Sequence, residues 1–392
     1  MKITVAGGGI TAQTADTAVI EVTEDGRLAS EAAAVDAALG GVVAQMLADG
    51  LLTGRTGEVT VLPAGRRLKA KRVVVLGAGK REGVTADAVR TRLGNLSRRL
   101  RDMNAGTVAL SLQESATALD PTDAGRAAAE AIVMGLYRFD RHHTREQDRP
   151  RHAVGDVTLV ETSTRRANAM QRGVAEGVVL AEQTNFARDL ANEPSNLMTP
   201  TIVAARAQQM AAELGIECVI IERAEAERLK MGSFLSVANG SAQPPKFIVL
   251  TYKGAGNGRP IALVGKGITF DTGGISLKPA EGMEAMKGDM SGAASVIAAL
   301  TGLSVHTVRV IHSRFLREGE AWLTGRPGRG GHVRRLCQSS RHGERGQSGQ
   351  RQHECDEGIA PAGGECGECA ERKHHAARRQ PAGGRARRRR QR

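Results

Sequence analysis

Residues 264–278 read VGKGITFDTGGISLK, and MKGDMSG follows at 286–292 with Asp289 at its centre. An apolar, glycine-rich run has no ordinary reason to carry Lys266, Asp271 and Lys278, because a buried charge is costly unless it is paired or bound to a metal. The segment IALVGKGITFD (261–271) reads as a strand by its apolar run. The glycines on either side of Lys266 imply a close backbone approach or a left-handed turn there. Asp271 leaves that strand into the turn DTGG, at the strand's carboxyl end, where active-site groups of α/β sheets usually lie. Asp289 precedes the helical pattern MSGAASVIAALTGL (290–303), which sets its carboxylate at the positive end of a helix. One amine and two carboxylates make a hard-donor set suited to manganese, magnesium or zinc. Lys278 is the remaining cation, placed to polarise a carbonyl or to steady oxyanion charge beside a metal-bound water. The bland alternatives are a snorkelling strand-end lysine, a turn-forming aspartate, a helix N-cap and a solvated loop lysine, and Met286 reads more readily as core than as pocket wall.

Working towards the amino terminus, KITVAG, TAVIEVTE, GEVTVLPA, KRVVVLGAG and GTVALSL predict strands, and EAAAVDAALGGVVAQML, TADAVRTRLGNLSRRLRDM and AGRAAAEAIVMGLY predict helices. Their alternation describes a small α/β domain over residues 1–150. The polar stretch at 141–156 reads as a loop. DVTLVE and a helix from about Arg165 to Leu190 form an interdomain strand and linker helix within 151–190. The breaker-rich NEPSNLMTP leads into the helix TIVAARAQQMAAEL, and ECVII, ERLKMGSFLSVANGS, KFIVLTYKG and PIALVGKGITF continue as strand, helix, strand, strand. Residues 191–312 therefore read as part of a second, larger α/β/α domain that is truncated. KRVVVLGAGK ends on a turn that is neither GxGxxG nor the full GxxxxGK[ST], so it reads as a strand-end turn rather than a nucleotide site.

Charge is distributed unevenly along the 392 residues. The net +13 is an average over two unlike parts: residues 1–312 hold 36 Lys and Arg against 33 Asp and Glu, while 313–392 hold 18 Arg, one Lys and nine acidic residues. A nucleic-acid reading of the basic pI applies to the tail alone. No run of 18 apolar residues exists, and the opening MKITVAGGGI lacks a basic n-region and a continuous apolar h-region, so the expected location is the cytoplasm. Cys218 is the one cysteine outside the tail, which argues against a disulfide framework.

VGKGITFDTGGISLKP followed by MKGDMSGAA resembles the catalytic core of the leucyl aminopeptidase (cytosol aminopeptidase) family, and NFARDLANEPSNLMTP (185–200) resembles that family's interdomain signature. NGSAQPPKFIVLTYKG is similar to the strand entering its catalytic domain. The resemblance implies two divalent ions, manganese or zinc, held by one lysine, three aspartates and one glutamate. By position in the motif, Lys266 resembles the lysine ligand, Asp271 the aspartate shared by both ions and Asp289 the second aspartate. Lys278 resembles the catalytic lysine, and Met286 a wall of the pocket for the substrate's first side chain. The implied reaction is hydrolysis of amino-terminal residues, leucine preferred, from peptides, by a homo-hexamer with its catalytic domains inside.

The chain departs from that pattern near its end. The family's NTDAEGRL-like segment, carrying the third aspartate, the glutamate and a catalytic arginine, has no counterpart; RHGERGQSGQRQHECDEG stands at 341–358, where Asp356 and Glu357 lack the spacing and the apolar strand. From residue 313 the chain has 14 glycines among its arginines, few apolar runs and the ending GGRARRRRQR. Such a segment does not offset its ordering entropy by burial and is expected to be disordered, and it reads as translation in another frame. Two metal ligands and a catalytic group being missing, this chain is expected to be inactive. Cys355, Cys366, Cys369 and His374 mimic zinc spacing by chance, without a strand–turn pattern around them. The competing class of function is non-specific nucleic-acid binding through the basic tail or the amino-terminal domain, an electrostatic attraction that lacks aromatic interleaving or a fold motif.

Overall fold

A strand sealed on both faces needs an unbroken apolar run, and KRVVVLGAG supplies one: Val73, Val74, Val75 and Leu76 are all fully enclosed. The structure is a computed structural model and describes residues 1–116, 118–145, 154–253 and 261–301. In chain order its amino-terminal part runs β1 (Ile3–Gly7), β2 (Thr17–Thr23), α1 (Ser30–Ala38), α2 (Val42–Ala48), β3 (Val59–Pro63), β4 (Arg72–Gly79), α3 (Ala86–Asp102), β5 (Val108–Ser111), α4 (Gln113–Ala116), α5 (Pro121–Leu136) and β6 (Val157–Glu161). These strands form one sheet in the order β1-β6-β5-β2-β4-β3. Every pairing is parallel except that of the edge strand β3 with β4. The five strands expected within 1–150 are all present. β6, read in the sequence as an interdomain strand, lies inside the same sheet, with Leu159 opposite both Val5 and Leu110.

The sheet is covered on both faces. α3 and α5 seal one with Leu93, Leu96 and Ile132, while α1 and α2 seal the other with Val35 and Val43. Each such enclosed Val or Leu contributes roughly 1.5–3 kcal/mol. The helix starts follow from local chemistry: the Thr85 hydroxyl accepts from Ala88 N at 3.2 Å, and Asp120, just before Pro121, accepts from Thr122 N at 2.8 Å. EAAAVDAALGGVVAQML departs from its expected single helix. Gly40 and Gly41 both take left-handed φ, 79° and 85°, and the resulting helices α1 and α2 are bent by 108°. No single described helix is long and apolar enough to cross a membrane, although that bent pair reaches the length and composition jointly. In the GAGK turn, a Cβ on Gly77 would lie 1.9 Å from Arg55 O and one on Gly79 2.1 Å from Thr56 Oγ1, so close packing of the neighbouring loop explains both glycines.

The carboxy-terminal part is α6 (Thr164–Asn192), α7 (Pro200–Leu214), β7 (Glu217–Ile221), α8 (Arg223–Arg228), α9 (Gly232–Ala238), β8 (Phe247–Thr251), a 3-10 helix at Met283–Met290 and α10 (Ser291–Thr301). β7 and β8 pair antiparallel, and their inner residues Cys218, Ile248 and Leu250 pack against a core of α7 and α10 side chains that includes Val203, Met210 and Ile297. The expected helix across ERLKMGSFLSVANGS is broken into α8 and α9, with Lys230 at φ 57° between them. The expected strand IALVGKGITFD is not formed: described residues 261–273 carry no strand. A strand apolar on both sides is an internal strand, and it needs a neighbour to supply its ladder. Among the described residues no strand pairs with it. The 313–392 tail, Cys355, Cys366, Cys369 and His374, and residues 146–153 of the expected loop lie outside the described residues.

Candidate functional site

Two glycines set the site's geometry. A Cβ on Gly265 would lie 2.3 Å from Gly292 O, and one on Gly292 2.8 Å from Lys266 N, so the 264–268 backbone crosses directly over the start of α10. Ala293 N donates to Lys266 O at 2.9 Å and fixes the crossing. It brings Lys266 Nζ to 2.6 Å from Asp289 Oδ2 and 3.8 Å from Asp271 Oδ2. Asp271 turns into DTGG by accepting from Gly273 N at 2.9 Å, with Gly273 and Gly274 at φ 90° and 68°. That turn returns the chain so that Lys278 N donates to Thr272 O at 2.9 Å and Lys278 Nζ sits 3.0 Å from Asp271 Oδ2. Lys278 Nζ also lies 3.0 Å from Met286 Sδ. All five residues singled out in the sequence thus meet in one cluster. Asp289 stands at the end of the 3-10 helix, immediately ahead of α10.

The Lys278 ammonium, followed by the Gly273 N–H, lowers the Asp271 carboxyl to about 2, so it is anionic across the neutral range. Asp289 Oδ2 is buried and accepts no hydrogen bond; its close contact with Lys266 is an ion pair without hydrogen-bond angles. A buried carboxylate oxygen without a hydrogen bond, balanced by a single amine, is one a cation could take up in that amine's place. With Lys266 deprotonated and its ion pair to Asp289 given up, Lys266, Asp271 and Asp289 would fit part of a divalent-cation site. They do not complete two, since no group of three His, Cys, Asp or Glu gathers among the described residues.

Sequence reasoning missed Lys287. Its Nζ donates to Asn192 O at 2.7 Å and lies 6.0 Å from the Phe139 ring, tying the turn that carries Met286 and Asp289 to the end of α6. Beside it, the enclosed Glu193 is held by Arg141 Nη1 at 2.9 Å and by His142, and Tyr137 donates to Asp189 at 2.9 Å. Asn192 and Glu193, with Asp189, thus tie Tyr137, Arg141 and His142 to the end of α6. The one signal in the sequence was the adjacency of Lys287 to Asp289, which by itself does not point to a partner.

Models of the cytosol aminopeptidase family match twice, the N-terminal domain over residues 19–146 and the catalytic domain over 185–314. A probable cytosol aminopeptidase of Acidithiobacillus ferrooxidans is 37% identical over 335 residues, 83% of this chain and 67% of that protein. The chain belongs to the cytosol aminopeptidase family. A probable cytosol aminopeptidase of Alkaliphilus metalliredigens is 39% identical over 270 residues, covering 69% of this chain and 54% of the relative. The chain thus spans about half the length of several curated family members it matches. Among solved structures, the bottromycin maturation enzyme BotP superposes with a TM-score of 0.57 at 32% identity, over 74% of this chain and 56% of that one. A mutant tomato leucine aminopeptidase superposes at TM-score 0.64 and 22% identity, over 77% of this chain and 59% of that one, and shares the fold. Both expected α/β domains thus have their counterparts in the family's N-terminal and catalytic domains.

Proposed function

We propose that this chain carries the lysine and two aspartates of a metal-dependent aminopeptidase site, one acting on the amino-terminal residue of peptides with leucine preferred. Lys266, Asp271 and Asp289 would hold a divalent cation, manganese or zinc. The observation that carries the reading is the convergence of these three donors, with a buried Asp289 oxygen free of hydrogen bonds. A bound divalent cation would supply Lewis acidity to the scissile carbonyl. Asp271, kept ionised by Lys278, is a ready anionic donor at neutral pH. Lys278, within reach of Asp271 and the edge of the cluster, is positioned to receive oxyanion charge, and Met286 beside it offers an apolar wall to the substrate's first side chain. Among the described residues the donor set stops at these three, so hydrolysis by this chain alone is expected to be absent or nearly so. The same reading places the protein in the cytoplasm and assigns the homo-hexamer to family members with a complete catalytic domain.

Isothermal titration of the purified chain with manganese or zinc tests this. Binding should be measurable and should weaken at least about tenfold, roughly 1.4 kcal/mol, in Asp289→Asn. Heat of binding unchanged by that substitution would remove the metal reading. Appreciable release of p-nitroaniline from Leu-p-nitroanilide with added manganese would show instead that the chain is active as it stands.

A further inference from the structure

Asp289 sits on an element that its own sequence holds weakly. The 3-10 helix Met283–Met290 is eight residues long, beyond the roughly three or four at which such helices usually stop, and its start after Gly282 has no side-chain cap among the described residues. Three residues per turn place Met286 and Asp289 one above the other on one face, with Lys287 about 120° away. The contacts follow that division. Met286 Sδ faces Lys278 Nζ and Asp289 Oδ2 faces Lys266 Nζ, while Lys287 Nζ donates to Asn192 O at 2.7 Å. Enclosed Met290 packs in the core with Leu190 and Ala294. Met290 is thus an apolar anchor for this turn and Lys287 a polar one.

The polar anchor is itself braced. Asn192 ends α6, so its carbonyl belongs to the last turn, which has no acceptors' partners inside the helix, and lies at the helix's negative end, a fit acceptor for an ammonium. Asn192 Nδ2 donates to Tyr137 Oη at 3.2 Å, Tyr137 donates to Asp189, and Arg141 bridges Asp189 Oδ2 and Glu193 Oε2 at 3.1 and 2.9 Å. Tyr137 and Arg141 follow α5 directly, so the segment leaving the first sheet's helix layer holds the α6 end that receives Lys287. Lys287 also stands only two residues from Asp289. An untethered ammonium there would be free to join Lys266 and Lys278 around the two carboxylates. We propose that Lys287 is a positioning residue of the cation site: its bond to Asn192 O holds the turn so that Asp289 meets Lys266 and Asp271, and keeps a third ammonium away from those carboxylates. This rests on the metal reading above and extends it to residues of α6 and of the segment after α5.

The sign of the effect separates this role from plain electrostatics. Removing a cation beside a cation site would, by charge alone, tighten metal binding, whereas losing a tether loosens it. In isothermal titration of the full chain with manganese alone, Lys287→Met should weaken binding at least about fivefold, near the low end of what losing an outer partner of a metal ligand costs. Lys287→Arg keeps a charged donor for Asn192 O and should stay within about twofold of the unsubstituted chain. Hydrogen exchange should speed up at amides 283–290 in Lys287→Met and not in Lys287→Arg, with cooperative melts by circular dichroism showing both folded at the titration temperature. Should Lys287→Met melt without cooperativity, Tyr137→Phe decides in its place: losing the hydroxyl that joins Asp189 to Asn192 should weaken manganese binding at least about threefold. Unchanged or tighter binding by folded Lys287→Met overturns the proposal, as does a loss in Lys287→Arg equal to that in Lys287→Met, or unchanged binding by Tyr137→Phe where it decides. Asp289→Asn in the same series separates the two readings. Weakening in Asp289→Asn without weakening in Lys287→Met overturns the tether alone; binding indifferent to Asp289→Asn, or absent from the unsubstituted chain, overturns the metal reading and the tether with it.

Discussion

Glu21 and Arg92 show what a single enclosed charge demands in this fold. Their side chains are 1% and 2% exposed and 3.2 Å apart. Ser115 N donates to Glu21 Oε2 at 2.9 Å, and Arg92 Nη1 donates to Ala78 O at 3.1 Å. Removing one partner strands the other's charge in the interior, so Arg92→Ala should lower the unfolding free energy by about 3–5 kcal/mol. The double variant Glu21→Leu with Arg92→Met should lose less than either truncation to Ala, as urea melts would show. Asp16 behaves differently because it sits nearer to water. Lys71 at 2.6 Å, followed by the Thr107 backbone and hydroxyl, lowers its carboxyl from 3.8 to about 2. A folded value below the unfolded one means that the stabilisation is complete above about pH 4 and is lost as pH falls from there through 2. Lys71 is 78% exposed, so screening reduces the gain to about 1 kcal/mol. Acid titration of stability should therefore flatten over that window in Asp16→Asn, and an unchanged slope would remove Asp16 from the account.

At the scale of elements, the closeness of α5 to α6 decides how the two parts of the chain are joined. A Cβ on Gly173 would lie 1.8 Å from Thr122 O, and one on Gly125 2.2 Å from Met170 O, so each helix meets the other's backbone. Neither contact has a flexible side chain that can move aside. Gly173→Ala should force the helices apart and cost about 1–3 kcal/mol, the usual range for overpacking, measured as a lower denaturation midpoint. Gly94→Ala makes a useful comparison, because its Cβ would meet Ala131 O at an ordinary 3.9 Å and should be tolerated. The sequence predicted helices over most of α5 and α6. It was silent on this contact, since the small residues that permit it look in sequence like weak helix formers.

For the molecule as a whole, β6 decides where the first folding unit ends. The sequence places a boundary at 150, yet β6 at Val157–Glu161 is the strand that joins β1 to β5. A fragment ending at residue 150 would leave β1 without a ladder partner and open a gap in the sheet. A fragment ending at residue 192 would keep β6 and the helix that covers it. The longer piece should melt cooperatively by circular dichroism and the shorter should not; two equally cooperative melts would restore the boundary at 150. β6 was legible as a strand from DVTLVE. Its place between β1 and β5 was not, because nothing local in five residues names a partner more than 40 residues upstream and another at the amino terminus.

The sequence by itself determined the strands of the first sheet and the start of α3, and it singled out the five residues of the candidate site, because each of these rests on neighbours along the chain: an apolar run, a capping side chain, a turn-forming glycine. Tertiary structure decided the position of β6, the 108° break between α1 and α2, the pairing of Lys266 with Asp289, and the failure of 261–271 to become a strand. A strand is a property of two segments rather than one. Its propensity is written locally, but its hydrogen bonds and the burial of both its faces have to be supplied from elsewhere in space.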